Sequence, residues 1–455
     1  MMRFRGFGCV LLMALAAGTA AALPKEVPQK RGDFAFHYAP RYTAAELAWY
    51  GRFNIVVPGS FLPPEQVTAL HRAGSKLLYY EWLVAFYLAP TQGADRWERR
   101  LLTEHPEWLL NPEKGLLGHA GSEVTPAYYY DPTVAGLREW RVAHLIRQAR
   151  EHQYDGIFFD TTGFGSVHPE AQATFKQRHP DEEYDAAIAQ FLALLRREAP
   201  DLILFTNQGY RNAPHYLPYA DFDLSESYMT TSGGPTAEVY LQERGRQRIT
   251  ETYVHPWYRP ENLWDSVAHY CEVLIDAPLR QGGYRTRICH LNYGQPRYQP
   301  TGKQVEVDGV KQPVYREVLD REALHYGVAA ALLLGQSSYY EAGPGIPRDE
   351  VYFVDLGKPL GARYTYDRQR GIAWRRFTRG LVVVNDSGRP VKLAVGKQLV
   401  PAGVTRLWDV YAGREVAGFA THRTLTLPTS RYQATRRTEP TGRVFVYLNQ
   451  AAARK

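Results

Sequence analysis

Short apolar runs, several of them closing on a polar side chain, alternate with stretches of helical period over the first three quarters of the chain. The runs that predict strands are Phe34–Tyr38, Phe53–Val57, Lys76–Trp82, Gly156–Asp160, Leu202–Asn207, Phe222–Ser227, Arg287–Tyr293 and Gly335–Glu341. Between them, Ile188, Phe191, Leu192 and Leu195 recur at helical spacing, and Leu263, Val267, Tyr270, Cys271 and Leu274 keep one face, so each set predicts an amphipathic helix. Thr43 and Glu46 stand at capping-box spacing, Pro63-Pro64-Glu65 marks a second helix start, and residues 133–152 predict a helix that leads into the Gly156 strand. Eight strands with helices between them are what closes a (β/α)8 TIM barrel, here placed at residues 33–345.

The texture changes from about Gly361. Alternating runs such as Gly380–Asn385, Val391–Val395 and Val404–Val410, separated by Gly, Pro, Asn and Asp, predict a small antiparallel β-sandwich at residues 361–450. Two connections, 105–131 and 228–286, are too long for simple βα turns and leave the C-terminal rim of the barrel, where long loops build a substrate cleft.

Residues 1–22 read as a signal peptide: Arg3 and Arg5 precede the apolar run Cys9–Ala17, with Ala20, Ala21 and Ala22 near the cleavage point. The expected mature chain begins near Leu23 and is secreted or periplasmic, with no stable membrane insertion. Removing those two arginines takes the formal charge from +7 to +5, and no dense Lys/Arg run follows, so nucleic acid is not an expected partner. Cys271 and Cys289 survive cleavage, either as a disulfide or as two buried thiols, and their spacing offers no zinc site.

Candidate chemistry lies at the strand ends. In a barrel the C-terminal tips point into the mouth, and the predicted tips carry Glu81, Asp160, Asn207, Glu226, Asn292 and Glu341. Asp160 ends the most apolar of these runs, where a packed core would not choose a carboxylate. Glycosidic cleavage needs one carboxyl to protonate the leaving oxygen and another to attack the anomeric carbon or activate water. Asp160, as nucleophile or electrostatic stabiliser, and Glu226, as general acid/base with a raised pKa, are the expected pair. Their separation, which decides between retention and inversion, is not written in the sequence. Tyr38, Trp82, Tyr228 and Tyr293 offer flat faces for sugar rings, and Asn207, Gln208 and Asn292 offer amides for hydroxyls; Glu81 and Glu341 complete the expected substrate-binding set.

Tyr154-Asp-Gly-Ile-Phe-Phe-Asp160, His105-Pro-Glu-Trp108, Tyr130-Asp-Pro132 and Asp223-Leu-Ser-Glu226 together resemble the secreted glycoside hydrolases related to endo-α-1,4-polygalactosaminidases, TIM-barrel enzymes laid out like the α-galactosidase clan. The resemblance spans roughly residues 33–345. It implies catalytic acids on the fourth and sixth strands, matching Asp160 and Glu226, and an α-linked polysaccharide substrate, amino sugars included. Residues 304–315 and the 228–286 connection have no counterpart in that pattern.

Other chemistries fit less well. His37, His255, His290 and His325 are scattered, no His-Glu-x-x-His occurs, and neither a Gly-x-Ser-x-Gly elbow nor a phosphate-binding Walker loop is present. Gly163-Phe-Gly-Ser166 lacks the third glycine of a dinucleotide site. No cofactor or metal is therefore expected. The alternative from another class is a non-catalytic polysaccharide-binding barrel, which would have no need of an acid facing a base.

Overall fold

The computed structural model describes residues 23–88, 97–117, 125–226, 231–241, 245–253, 263–294, 297–342, 347–431 and 438–448. The expected signal peptide lies outside them. Eight parallel strands form one sheet in chain order: β1 (Gly32–His37), β2 (Phe53–Pro58), β3 (Lys76–Trp82), β4 (Gly156–Asp160), β5 (Ile203–Asn207), β6 (Phe222–Glu226), β7 (Arg287–Gly294) and β8 (Ser337–Ala342). β8 returns to β1, where Ser337 Oγ donates to Asp33 at 2.7 Å and the Phe34 and Tyr339 rings lie 6.2 Å apart. This is a nearly closed (β/α)8 barrel.

Helices follow the sequence signals with two corrections. The helix Ala44–Tyr50 has the full Thr43/Glu46 capping box, and the helix Pro64–Arg72 starts on Pro64. Gly335, expected in the last strand, instead caps the helix Arg321–Leu334 at φ 79°, a left-handed conformation that glycine adopts without a Cβ clash. The helix from Leu263 passes into a π-helical turn at Cys271–Asp276, whose wider winding advances the buried position by one residue. Val267, Cys271 and Ile275 therefore face the core, whereas Leu274 is 46% exposed. Cys271 and Cys289 are both buried and form no disulfide.

Alternation along each strand decides what reaches the barrel interior. In parallel pairs, directly opposed residues share a face, and the register aligns Phe158 with Phe205 and Phe205 with Phe222. Their rings meet those of Phe34 and Phe36 across the barrel at centroid separations of 5.0–6.2 Å. One interior position further along, the strands present Tyr38, Asp160, Asn207 and Leu224, and Glu226 follows one interior position beyond Leu224. The mouth thus stands on a dry aromatic floor.

Two rim insertions, one after β6 and one after β7, converge. Thr231–Leu241 pairs antiparallel with Gly245–Tyr253, Arg297–Val307 pairs with Val310–Val318, and the two hairpins join in parallel through Val314–Tyr240 and Tyr315–Leu241. Segments after β6 and β7 with no counterpart in the sequence pattern therefore build one four-stranded sheet.

Beyond the barrel, Pro359–Asp367, Ile372–Phe377, Gly380–Asn385, Thr441–Tyr447, Leu407–Asp409 and Arg414–Glu415 form a six-stranded antiparallel sheet. One face, with Ile372, Leu381, Val383 and Phe445, packs on Leu393, Leu425 and Leu427 of a two-stranded partner. The other, with Ala373, Val382, Val384 and Val444, belongs to the barrel core. The helix Arg321–Leu334 lies so close to this face that a Cβ on Gly442 would stand 2.6 Å from Ala329 Cβ and 2.6 Å from the His325 carbonyl. Gly442→Ala is expected to lower the unfolding free energy by about 1–3 kcal/mol in a urea titration; an unchanged midpoint would mean that the interface yields.

Candidate active site

At the mouth, Asn207 joins the two expected carboxylates. Its Nδ2 donates to Asp160 Oδ1 at 2.8 Å and to Glu226 Oε2 at 2.5 Å, so the separation of those oxygens cannot exceed the sum of the two bonds, 5.3 Å. Asp160 also accepts from the Tyr80 hydroxyl, which in turn accepts from Trp82 Nε1 at 3.2 Å, and from the backbone N–H of Thr161 at 2.7 Å. Three donors around one carboxyl make the environment of an ionised carboxylate.

The backbone is bent to produce this. Thr161, directly after Asp160, and Gln208, directly after Asn207, adopt φ 50° and 58°, conformations costly for residues with a Cβ. The Thr161 N–H meets the Asp160 carboxylate, and the left-handed φ turns the chain that follows. The turn at half-buried Gln208 brings the N–H groups of Gly209 and Tyr210 onto Asp223, each at 2.8 Å.

Placement of the other expected residues follows strand parity. Trp82 ends β3 on the interior face, in register with Asp160, and its ring lies edge-on to Tyr87. Tyr38 is 46% exposed just past β1, 5.5 Å from the Tyr80 ring. Glu341, the next-to-last residue of β8, is in register with Tyr293, whose side chain, like all of Tyr228, falls outside the described residues. Burial first, and the neighbouring Glu226 charge second, push Glu341 up to about 7.

Glu81 and Asn292 are corrections. Each lies one residue out of phase and points into the helix layer. Glu81 is buried beside Arg141 at 3.6 Å and accepts from the Tyr79 hydroxyl at 2.7 Å. Asn292 donates to Ser338 Oγ at 2.8 Å, and its amide sits where a Cβ on Gly327 would be. The mouth they were expected to line is on the other side of the strand.

The model of hypothetical glycosyl hydrolase family 15 matches residues 72–381, more than half of the chain. The chain belongs to that family. It is a glycosidase, with a carbohydrate substrate. No curated protein matches the chain. Among solved structures, it is similar to the glycoside hydrolase domain of PelA from Pseudomonas aeruginosa, at 19% identity over 70% of this chain and 95% of that one, TM-score 0.40. It is also similar to the maltogenic α-amylase AmyB from Thermotoga neapolitana, at 12% over 91% and 98%, TM-score 0.48, and to a debranching enzyme from Nostoc punctiforme, at 11% over 93% and 99%, TM-score 0.48.

Two buried carboxylates that sequence reasoning passed over brace the loops of this candidate site. Asp223 faces away from the mouth and accepts from Thr206 Oγ1 as well as from the Gly209 and Tyr210 amides; burial outweighs those donors and raises it to about 7. Asp185 accepts from the Phe164 amide, Asn212 Nδ2 and the Tyr216 hydroxyl, tying the loop after Asp160 to the segment after Asn207. The signal for Asp223 was its odd offset from Glu226, which puts the two on opposite faces. Asp185 carried none, because its partners are remote in sequence.

Proposed function

We propose that this glycosidase cleaves an α-linked polysaccharide, amino-sugar polymers included, with retention of configuration, Asp160 acting as nucleophile and Glu226 as general acid/base. The observation that carries the mechanism is the shared Asn207 amide. A bound of 5.3 Å between the two oxygens fits the roughly 5–5.5 Å carboxyl separation of retaining glycosidases and falls below the roughly 6.5–9.5 Å that an inverting enzyme needs for an intervening water. Asp160 attacks the anomeric carbon as the glycosidic bond breaks, and Glu226 gives its proton to the departing oxygen. Water, deprotonated by Glu226, then cleaves the glycosyl ester. Tyr38 and Trp82 offer the stacking faces beside the bond. The α-linkage and amino-sugar elements of this reading rest on the sequence resemblance alone. The segment Cys9–Ala17 behind Arg3 and Arg5 supports export of the mature chain to the periplasm or beyond.

Reducing-end release by the purified mature protein on α-linked neutral and galactosamine-containing polysaccharides tests this reading, with Glu226→Gln as the paired variant. The variant should lose about 10²–10⁴-fold in kcat on sugar leaving groups, the usual contribution of a positioned acid. Equal rates in parent and variant would remove Glu226 from the chemistry, and product of inverted anomeric configuration would remove retention.

A further inference from the structure

The two oxygens of Asp160 are served unequally. Oδ1 accepts from Asn207 Nδ2 at 2.8 Å and from the Thr161 N–H at 2.7 Å, so both of its in-plane lone pairs are spent. Oδ2 accepts from the Tyr80 hydroxyl alone among the described residues and keeps one lone pair. Tyr80 lies on the interior face of β3, opposite Phe158 and one interior position before Trp82. It is half-buried, its ring 5.6 Å from that of Phe158 and 5.5 Å from that of Tyr38. The Trp82 indole N–H donates to the Tyr80 oxygen at 3.2 Å, which directs the hydroxyl proton toward Asp160 and makes it a stronger donor. Burial first, and the Asp160 charge second, hold this hydroxyl far above the usual tyrosine range, so it stays protonated.

We infer, building on the two-carboxylate reading, that Oδ2 is the oxygen that attacks the anomeric carbon, and that the Tyr80 hydroxyl, positioned by Trp82, stabilises it when it leaves again. In the first half-reaction the free lone pair of Oδ2 bonds to the anomeric carbon, the glycosidic C–O bond breaks, and Glu226 protonates the departing oxygen. Asp160 thereby loses its charge. An ester oxygen is a poorer acceptor than a carboxylate, so the Tyr80 bond is weakest in the glycosyl-enzyme. In the second half-reaction water attacks that carbon, Glu226 takes its proton, the C–Oδ2 bond breaks, and its electron pair returns to Oδ2. Charge grows on Oδ2 as that bond breaks, and a donor already in place stabilises the transition state more than the ester. During attack the same bond works the other way, because it holds the charge that must be given up. Tyr80 therefore serves the release step, and Trp82 acts through it as a positioning residue.

Kinetics of Tyr80→Phe on an activated aryl glycoside of a sugar that the parent releases, with intact-mass spectra of the enzyme during turnover, test this. With such a leaving group, breakdown of the enzyme ester limits kcat, while kcat/KM reports its formation. Tyr80→Phe should lower kcat by about 10–100-fold, the scale of one hydrogen bond to a charged group. It should leave kcat/KM within about threefold and shift the enzyme to the mass of the glycosyl adduct. Equal falls in kcat and kcat/KM, with no adduct, would make Tyr80 structural and overturn the assignment. Trp82→Phe keeps the hydroxyl but removes the donor that positions it, so the same adduct should build up to a smaller extent. Should Tyr80→Phe fail to fold, Trp82→Phe decides, and absence of adduct from it counts against the proposal. Peptide mapping of the parent adduct separates this from the underlying reading. An adduct on another residue, a product of inverted configuration, or no sugar release from any substrate overturns the two-carboxylate mechanism and the proposal with it. An adduct on Asp160 in the parent, without a surplus in Tyr80→Phe, overturns the role of Tyr80 alone.

Discussion

Asp160→Ala is expected to lower hydrolysis by about 10⁴-fold or more, the scale of losing an activated nucleophile, and azide is expected to restore part of it as a glycosyl azide of inverted configuration. The reasoning runs from the donors inward. The Tyr80 hydroxyl, Asn207 Nδ2 and the Thr161 N–H converge on the Asp160 carboxylate, and the chain turns directly afterwards, at Thr161, in a conformation that a residue with a Cβ seldom adopts. Deleting the carboxyl leaves these donors around a space that suits a small anion. Azide placed there can attack the anomeric carbon while Glu226 protonates the departing oxygen, which balances the reaction without Asp160. Chromatography of the products and thermal unfolding of the variant read the outcome. More than a tenth of parental activity without azide would exclude Asp160 as nucleophile, and a product azide of retained configuration would require a different attacking group in the parent.

The barrel was legible in the chain because its strands are apolar on both faces, so runs such as Gly156–Asp160 stand out against helices of one-sided period. That same property hid the finer assignment. A strand buried on both faces gives no polar alternation from which to read parity, and Glu81 and Asn292, polar and near the tips, looked equivalent to Asp160 and Glu226. Only the register shows that they fall on the helix side, where Arg141 and Ser338 satisfy them. Asp160, Asn207 and Glu226 could be named singly. Their connection through one amide nitrogen could not, since it depends on β4, β5 and β6 lying side by side in a register that sets Glu226 one interior position beyond Leu224, the partner of Asn207. The π-helical turn at Cys271–Asp276 and the joined rim hairpins are likewise tertiary results: no local preference announces them.

Arg141→Met should cost the fold about 3–5 kcal/mol in chemical denaturation, the scale of breaking a buried ion pair from one side. The helix Ala135–Glu151 carries Arg141 into the layer behind β3. There it donates to the Leu83 carbonyl at 2.5 Å and to the Trp82 carbonyl, stands 3.6 Å from Glu81, and lies over the Tyr130 and Phe191 rings at 4.1 and 4.9 Å. Methionine fills much of the volume but strands both carbonyls and leaves Glu81 buried without its cation. Burial already raises the Glu81 pKa, opposed first by Arg141 and then by the Tyr79 hydroxyl, so removing Arg141 raises it further. For a carboxyl whose folded pKa exceeds the unfolded one, stability is complete below the unfolded value and falls as pH rises through the folded value. The deficit of Arg141→Met must therefore be largest at neutral pH and above and shrink in acid, and Glu81→Gln in the same background should recover part of it. Arg141 also holds the carbonyl of Trp82, which ends β3 beside Asp160, so a variant that stays folded should lose substrate affinity as well. A deficit below about 1 kcal/mol, or one that does not change with pH, would mean that Glu81 finds another partner and that β3 is held by its neighbours alone.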